Sequence, residues 1–392
     1  DTPARTLHDE ALVRVVTIHP QDVKGLREAF EHTWEADVFF RERFLIDTGI
    51  KRGVAVPTDS TRVHIDDISA TEDIESVTPR MVTIDIEVYT AGSFPEPDEA
   101  KMPITSYTMH DTYTDRYKVA VLRPQDTIFK DGDTWTGHPE WELPDGVSWE
   151  QVSFDIYDDE NQMLADGNAW IDEHDPDILT GWNSSRNEMG NGFDYPYWVN
   201  RCRNINEWTY EDMSPEGEVF TTRRGEAVVR GRQLVDMLQA YKKTQIHEKR
   251  SYALGAIAEE ELGYGKEDID STDDAWLYTP VEFMKYNIRD VQAVVDIEQA
   301  KGVLDLYDHI RSITGATYSE IADSNIGLID MLFLRKAQND DIALPTSTRP
   351  ERGWYYGAKV FNPVPGLHRN VVYPDLASLY PYLMWSLNIS PE

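Results

Sequence analysis

Asp85-Ile86-Glu87 stands inside an otherwise apolar run, MVTIDIEVYT, and residues two apart on a strand project to the same face. If that run is a strand, the two carboxylates point one way and repel each other, and a cation between them resolves the conflict. The plain alternative is a solvent-facing strand edge. Farther along, Phe193-Asp194-Tyr195-Pro196-Tyr197 offers a third carboxylate. It could equally cap a helix, because Asp followed by a first-turn Pro is a common start signal. Tyr286 and Asp290 lie four apart in YNIRD; on a helix they share a face one turn apart, an ordinary surface pairing when taken singly. Together these segments supply four carboxylates and one phenol. That inventory suits two-metal hydrolysis of a phosphodiester, with ions roughly 3.5–4 Å apart holding the attacking and leaving oxygens in line. The ligands are all hard oxygens with no Cys or His among them, which points to Mg2+ or Mn2+.

The elements that must position these groups are partly visible. MVTIDIEVYT and KVAVLR read as strands. GRQLVDMLQAYKK has apolar residues at three- and four-residue steps and reads as a helix. A second helix is expected from about Thr279 through Glu298, opened by TPVE as a capping box. Residues 302–339 read as mostly helical. Nearer the start, LVRVVTIHP reads as a strand and DVKGLREAFEHTW as a helix capped by Asp22. The turn-rich stretch TDSTRVHIDDISATEDIESVTPR marks the edge of a first domain. From Trp354 onward, WYYGAKVFNP and NVVYPDLASLYPYLM return to strand character. Strand and helix intermix throughout, so the class is α/β (α+β mixed) and multidomain.

Composition bounds the surroundings. A chain of 392 residues is long enough for two or three domains. No apolar run is long enough to span a bilayer, and DTPARTLHDE lacks the basic and apolar regions of a signal peptide. The single cysteine, Cys202, excludes an internal disulfide and fits a reducing cytosol. A cytoplasmic, membrane-free protein is expected. Its formal net charge of −34 argues at first sight against a nucleic-acid partner, because Lys and Arg drive phosphate binding. The acidic residues are spread along the whole chain, however, as in PEPDEA, DIYDDE and DSTDD. That distribution suggests a surface adapted to high salt rather than an acidic tail.

The ordered set D-x-E, F-D, Y-x-x-x-D resembles the three exonuclease motifs of the DEDD proofreading domain of family B DNA polymerases. The likeness extends to HDPDILTGWN before the second motif, to GEAVVRGRQLVDMLQAYKK, and to SYALGAIAEEELGYGK. It continues into YYGAKVFNPVPGLHRNVVYPDLASLYP, which is similar to the YxGG linker followed by polymerase motif A, DxxSLYP. The resemblance implies an RNase H-like domain with a mixed sheet flanked by helices. It makes Asp85, Glu87, Asp194 and Asp290 the ligands of two Mg2+ (or Mn2+), with Tyr286 orienting the attacking water. Asn183 and Phe193 would shape the single-strand channel, although SSRNEMGNG separates them and leaves Asn187 and Asn191 as alternatives to Asn183. Tyr355 and Gly357 would contact DNA in the linker, where Ala358 replaces the second Gly. Asp375 would hold Mg2+ at the polymerase site, with Leu376, Ser378, Leu379 and Tyr380 around the incoming dNTP and Tyr380 as steric gate. Pro374 and Tyr382 depart from the usual motif A pattern.

The resemblance also divides the chain. Residues 1–78 would be a partial N-terminal, template-binding domain; 79–301 the exonuclease domain; 302–343 a helical return; and 344–392 the start of the palm. HPQDVKGLREAF and DVFFRERFLIDTGI are similar to the archaeal branch, which places a uracil-sensing pocket at Val23, Phe40 and Arg43. With the acidic surface, this suggests a haloarchaeal source. Because the chain stops just after motif A, it is expected to act as an exonuclease and not to extend a primer alone. DNA, dNTPs in the longer protein and a sliding clamp are the expected partners, near the nucleoid. The competing readings are a catalytically silent DNA-binding or scaffolding relative, and a stand-alone DEDD nuclease.

Overall fold

The apolar run around Asp85 folds as a central strand, Met81–Val88, buried at every position except its two half-buried carboxylates. The computed structural model describes residues 4–57, 62–72, 77–124, 142–185, 192–265, 269–323, 325–347 and 357–389. Two compact units emerge, one of Asp1–Asp47 with Phe333–Glu392, the other of Thr48–Leu332. In chain order the elements begin α1 (Asp22–Arg27), α2 (Phe40–Asp47), β1 (Gly53–Ala55), β2 (Ser69–Thr71), β3 (Met81–Val88), β4 (Ile104–Asp111), β5 (Arg116–Leu122) and β6 (Val152–Tyr157). Next come α3 (Glu160–His174), β7 (Ile178–Gly181), α4 (Asp194–Asn204), β8 (Val219–Thr221), β9 (Ala227–Val229), β10 (Gln233–Asp236) and α5 (Met237–Thr244). The helical stretch is α6 (Leu254–Leu262), α7 (Thr272–Tyr278), α8 (Pro280–Lys301), α9 (Val303–Thr314), α10 (Tyr318–Asp323) and α11 (Asn325–Asn339), and α12 (Leu379–Ser386) ends the series.

Strand β3 is the pivot of a six-stranded mixed sheet ordered β10-β7-β3-β4-β5-β6. Strands β10, β7 and β3 run parallel, β4 runs antiparallel to β3 and β5, and β6 is parallel to β5. A strand covered on both faces needs apolar residues pointing both ways, hence the near-continuous apolar run. One face carries Ile84, Ile86 and Tyr107 against Met163 and Leu164 of α3 and Trp198 of α4. On another layer, Tyr117, Val119 and Val121 of β5 pack on Phe283, Ile288 and Val291 of α8. Around β7 and β10, α5, α6, α8, α9 and α10 close a third cluster.

Two contacts fix the layers that matter for the site. The Arg201 guanidinium of α4 grips Glu160 of α3 with paired bonds of 2.8 and 2.6 Å, and the same Glu160 accepts from the Ile104 amide of β4 at 2.8 Å. Helix α4 is thereby tied to both its neighbours. At the end of β7, a Cβ on Gly181 would fall 2.5 Å from the Ile84 carbonyl oxygen and 2.7 Å from the Ser184 Cβ. Gly181→Val should therefore cost about 1–3 kcal/mol, read as a lower urea midpoint at unchanged slope. An unchanged midpoint would show that β7 tolerates the side chain.

The junction of α8 and α9 carries a half-buried acid. Glu298 accepts from the Leu304 amide at 3.0 Å, while its Oε2 is buried without a hydrogen-bond partner among the described residues. Burial pushes this carboxyl up to about 7, against the lowering pull of the Leu304 and Val303 amides. The folded chain thus holds this proton more tightly than the unfolded one, whose value is 4.5. The stabilisation is complete below 4.5 and disappears as pH rises through about 7. Glu298→Gln should gain on the wild type by up to about 3 kcal/mol as pH rises across that window. A difference that stays constant with pH would refute the assignment.

In the other unit, residues near Arg5 lie against Asp341–Ala343, with Arg5 N donating to the Asp341 carbonyl at 2.9 Å. Arg43 of α2 is held by Glu35, by Asp47 at 2.8 Å and by Gln338 at 2.9 Å. Phe40, three residues earlier, is exposed and stacks on Phe44 at 6.4 Å, and Val23 is half-buried in α1.

Several local expectations are corrected. The expected strand LVRVVTIHP is not one: Val13, Val15, Val16 and Ile18 are exposed, and no described strand pairs with them to take up their N–H and C=O groups. Asp22 lies in the first turn of α1, after Gln21 at the cap position, and the helix ends at Arg27. GRQLVDMLQAYKK is helix only from Met237, because Gln233–Asp236 pairs in parallel with β7 before α5 begins. TPVE forms no capping box: Thr279 makes no side-chain cap bond, since it also ends α7, its amide donating to Ala275. Residues 357–378 form no strand, and Leu379–Ser386 is the helix α12.

Candidate functional site

Asp85 and Glu87 share one face of β3, and the antiparallel register sets Thr108 opposite Asp85 and Ser106 opposite Glu87. The pairing shifts register between Glu87 and Val88; such irregularities bend and twist a strand locally. Helix α8 crosses the same face. It brings Asp290 close enough that one oxygen each from Asp85, Glu87 and Asp290 lies within 4.8 Å of the other two. Asp290 is nearly fully buried while the two β3 carboxylates are half-buried, so the cluster has a buried side and a solvent side. Three like charges in that space repel one another unless neutralised. The donors are all carboxylate oxygens, which fits a hard divalent cation.

Asp194 enters from α4. It is the first residue of that helix, and Phe193 before it supplies no side-chain cap. Its carboxylate accepts from the Ile86 amide at 3.0 Å, the backbone group between Asp85 and Glu87. Burial, then the Asp194 charge, pushes the phenol of neighbouring Tyr195 well above its ordinary value. Tyr195 therefore stays neutral and donates to the Thr180 carbonyl at 3.3 Å. Tyr286 is half-buried on α8, one turn before Asp290.

The inserted stretch after Asn183 closes at its base. Phe193 N donates to the Asn183 carbonyl at 2.8 Å and Tyr195 N to the Ser184 carbonyl at 3.0 Å. Asn183 takes a left-handed turn at φ 62°. Asp236 clamps this turn, accepting from Asn183 N at 3.2 Å and Ser185 N at 3.1 Å while capping α5 through Leu238 N at 3.1 Å. Asn187 and Asn191 lie outside the described residues.

Phe94, Asn287 and Thr108, which sequence reasoning missed, belong to this neighbourhood. Phe94 is 74% exposed and packs its ring 5.3 Å from that of Phe193. Asn287 is fully buried and donates to Asp85 Oδ2 at 2.8 Å. Its own oxygen accepts from Thr108 Oγ1 at 2.7 Å. The signal for Asn287 was available: it is three residues before Asp290, hence on the same helix face. Phe94 had no such signal.

The remaining polymerase-site candidates belong to the other unit. Asp375, Leu376, Ser378, Leu379 and Tyr380 are all exposed, and among the described residues Asp375 joins no acidic group able to hold a metal. Gly357 is exposed, with nothing within 4 Å of where a Cβ would be. Tyr355 lies outside the described residues. Among the described residues, no helix is long and apolar enough to cross a membrane.

Comparison with known proteins matches two family models to the chain. Residues 31–257 match the model of the DNA polymerase family B exonuclease domain, and residues 318–392 that of DNA polymerase family B. The DNA-directed DNA polymerase of Escherichia phage RB69 is 29% identical over 333 residues, covering 80% of this chain and 35% of the phage protein. A DNA polymerase of Archaeoglobus fulgidus is 26% identical over 390 residues, covering 95% of this chain and 43% of its own length. The solved family B DNA polymerase of Pyrobaculum calidifontis shares the fold at TM-score 0.69 and 21% identity, over all of this chain and 48% of that one. The chain thus spans less than half the length of each of these relatives.

Proposed function

This chain belongs to DNA polymerase family B, carrying its exonuclease domain, and we propose that the Thr48–Leu332 unit hydrolyses single-stranded DNA from its 3′ end, as a proofreading exonuclease does. Asp85, Glu87, Asp194 and Asp290 hold two Mg2+ or Mn2+ ions. When bound, such a pair polarises the scissile phosphate and stabilises both the attacking and the leaving oxygen. The phenol of Tyr286 orients the attacking water. Asn183 shapes the strand's path through its turn, and Phe193 with Phe94 stacks on the unpaired terminal bases, each stack worth ~1–3 kcal/mol.

The observation that carries this reading is the convergence of Asp85, Glu87 and Asp290 from β3 and α8, with Asp194 bonded to the Ile86 amide between the first two. It also accommodates the charge. With a net charge of −34, the chain grips the strand through bound cations and aromatic faces more than through Lys and Arg, so its affinity falls only shallowly with salt. In a polymerase as long as these relatives, primer-template DNA would run past Tyr355 and Gly357. Asp375 would bind a Mg2+ that positions a dNTP among Leu376, Ser378, Leu379 and Tyr380. Val23, Phe40 and Arg43 would read template uracil, a sliding clamp would be an accessory partner, and the protein would work in the cytoplasm at the nucleoid.

The test uses a single-stranded oligonucleotide labelled at its 5′ end, in high salt with Mg2+ or Mn2+. The expected result is a ladder shortening from the 3′ end that stops when the metal is chelated. Shortening that persists in chelator, or none with either metal, would overturn the proposal.

A further inference from the structure

We infer that Asn287 is a positioning residue for the metal centre, the middle of a relay from the Thr108 hydroxyl through the Asn287 amide to the Asp85 carboxylate. The inference rests on the exonuclease reading above. Asn287 is fully buried and touches none of the reacting groups directly. Its Nδ2 donates to Asp85 Oδ2 at 2.8 Å. Its Oδ1 accepts from Thr108 Oγ1 at 2.7 Å and, more weakly, from Ser106 Oγ at 3.4 Å.

The relay has a defined direction. A side-chain amide can flip, but here the flipped form would aim its oxygen at a carboxylate oxygen, two acceptors facing each other. The carboxylate of Asp85 therefore sets the orientation, and the Thr108 hydroxyl, which can donate or accept, answers it by donating to the amide oxygen. Thr108 is the cross-strand partner of Asp85, and Ser106 that of Glu87. The two hydroxyls sit on the same face as the two carboxylates because of strand register alone. Helix α8 completes the arrangement by offering Asn287 and Asp290 three residues apart on one side.

One Asp85 oxygen thereby accepts from a neutral donor, which fixes the carboxylate's rotation. Partners of this kind hold ligating groups in place, and losing one typically costs about 10–100-fold in metal affinity or activity. Asn287 follows Tyr286 directly in YNIRD, so one helical turn supplies a metal ligand, a phenol and the group that aims a second ligand.

The test is Mn2+ binding by titration calorimetry on the intact chain, beside its thermal unfolding. Asn287→Leu, close in volume and without polar atoms, should weaken Mn2+ about 10–100-fold. Thr108→Val, which keeps the shape and removes only the hydroxyl, should weaken it several-fold although it contacts no metal. Combining the two should be no worse than Asn287→Leu alone, because the relay is already broken. Should Asn287→Leu fail to fold, Thr108→Val carries the test by itself. Unchanged Mn2+ affinity in Thr108→Val, or fully additive losses, would overturn the relay while leaving the exonuclease reading standing. A wild type that binds no Mn2+ would overturn both.

Discussion

Asp290→Asn should lower metal-dependent shortening of single-stranded DNA by about 10³-fold or more, and it should also raise the unfolding temperature of the metal-free chain. The two effects have one cause. Oxygens of Asp85, Glu87 and Asp290 lie within 4.8 Å of one another, a spacing at which two like charges cost about 1–4 kcal/mol depending on how much water screens them. Asn keeps the shape and one oxygen but removes a charge, so the repulsion falls while the cation loses a ligand. Adding Mn2+ should then separate the proteins. The wild type gains about 2.7 kcal/mol at a hundredfold excess over its dissociation constant, and the variant gains little. Asp85→Asn should behave similarly, with a smaller rise in stability because Asp85 is more exposed than Asp290. If Asp290→Asn left both the Mn2+ response and the cleavage rate at wild-type levels, the three carboxylates would be a cluster without an ion.

The paired carboxylates of β3 were legible because their types contradict their setting. Two acids in an apolar strand, with each apolar neighbour buried, stand out in any reading of the sequence. Helix α8 was legible because its apolar positions recur over a long stretch and Gly302 ends it in a left-handed turn at φ 59°. Register was hidden. Nothing in the sequence says that Thr108 lies across from Asp85, so the relay through Asn287 was out of reach. Short elements were hidden for a different reason. The four residues of β10 become a strand only by pairing with Ile178–Gly181, while their apolar spacing fits a helix equally well. Conversely, LVRVVTIHP has the composition of a strand, yet none of the described strands pairs with it. Asp194 is the instructive middle case. Its sequence suits a helix cap, and it does begin a helix, but its carboxylate turns to the β3 backbone instead.

Tyr286→Phe is the sharper test of mechanism, because it removes one oxygen and leaves the ring. The site should still bind Mn2+ with wild-type affinity, since its carboxylates are intact, and the half-buried ring should keep the unfolding temperature unchanged. The cleavage rate at saturating DNA should nevertheless fall about 10²–10³-fold, the usual scale for losing a positioned group that hydrogen-bonds the reacting water. KM should hardly move, because the proposed role has the phenol act on the water and not on the bases that Phe94 and Phe193 would stack. This split distinguishes Tyr286 from its neighbour: Asn287→Leu should weaken the metal first and the rate in consequence, and excess Mn2+ should restore part of its activity. Excess Mn2+ should restore nothing to Tyr286→Phe. A Tyr286→Phe protein with full rate would remove the phenol from the reaction, and one rescued by Mn2+ would make Tyr286 a support for Asp290, one turn farther along α8.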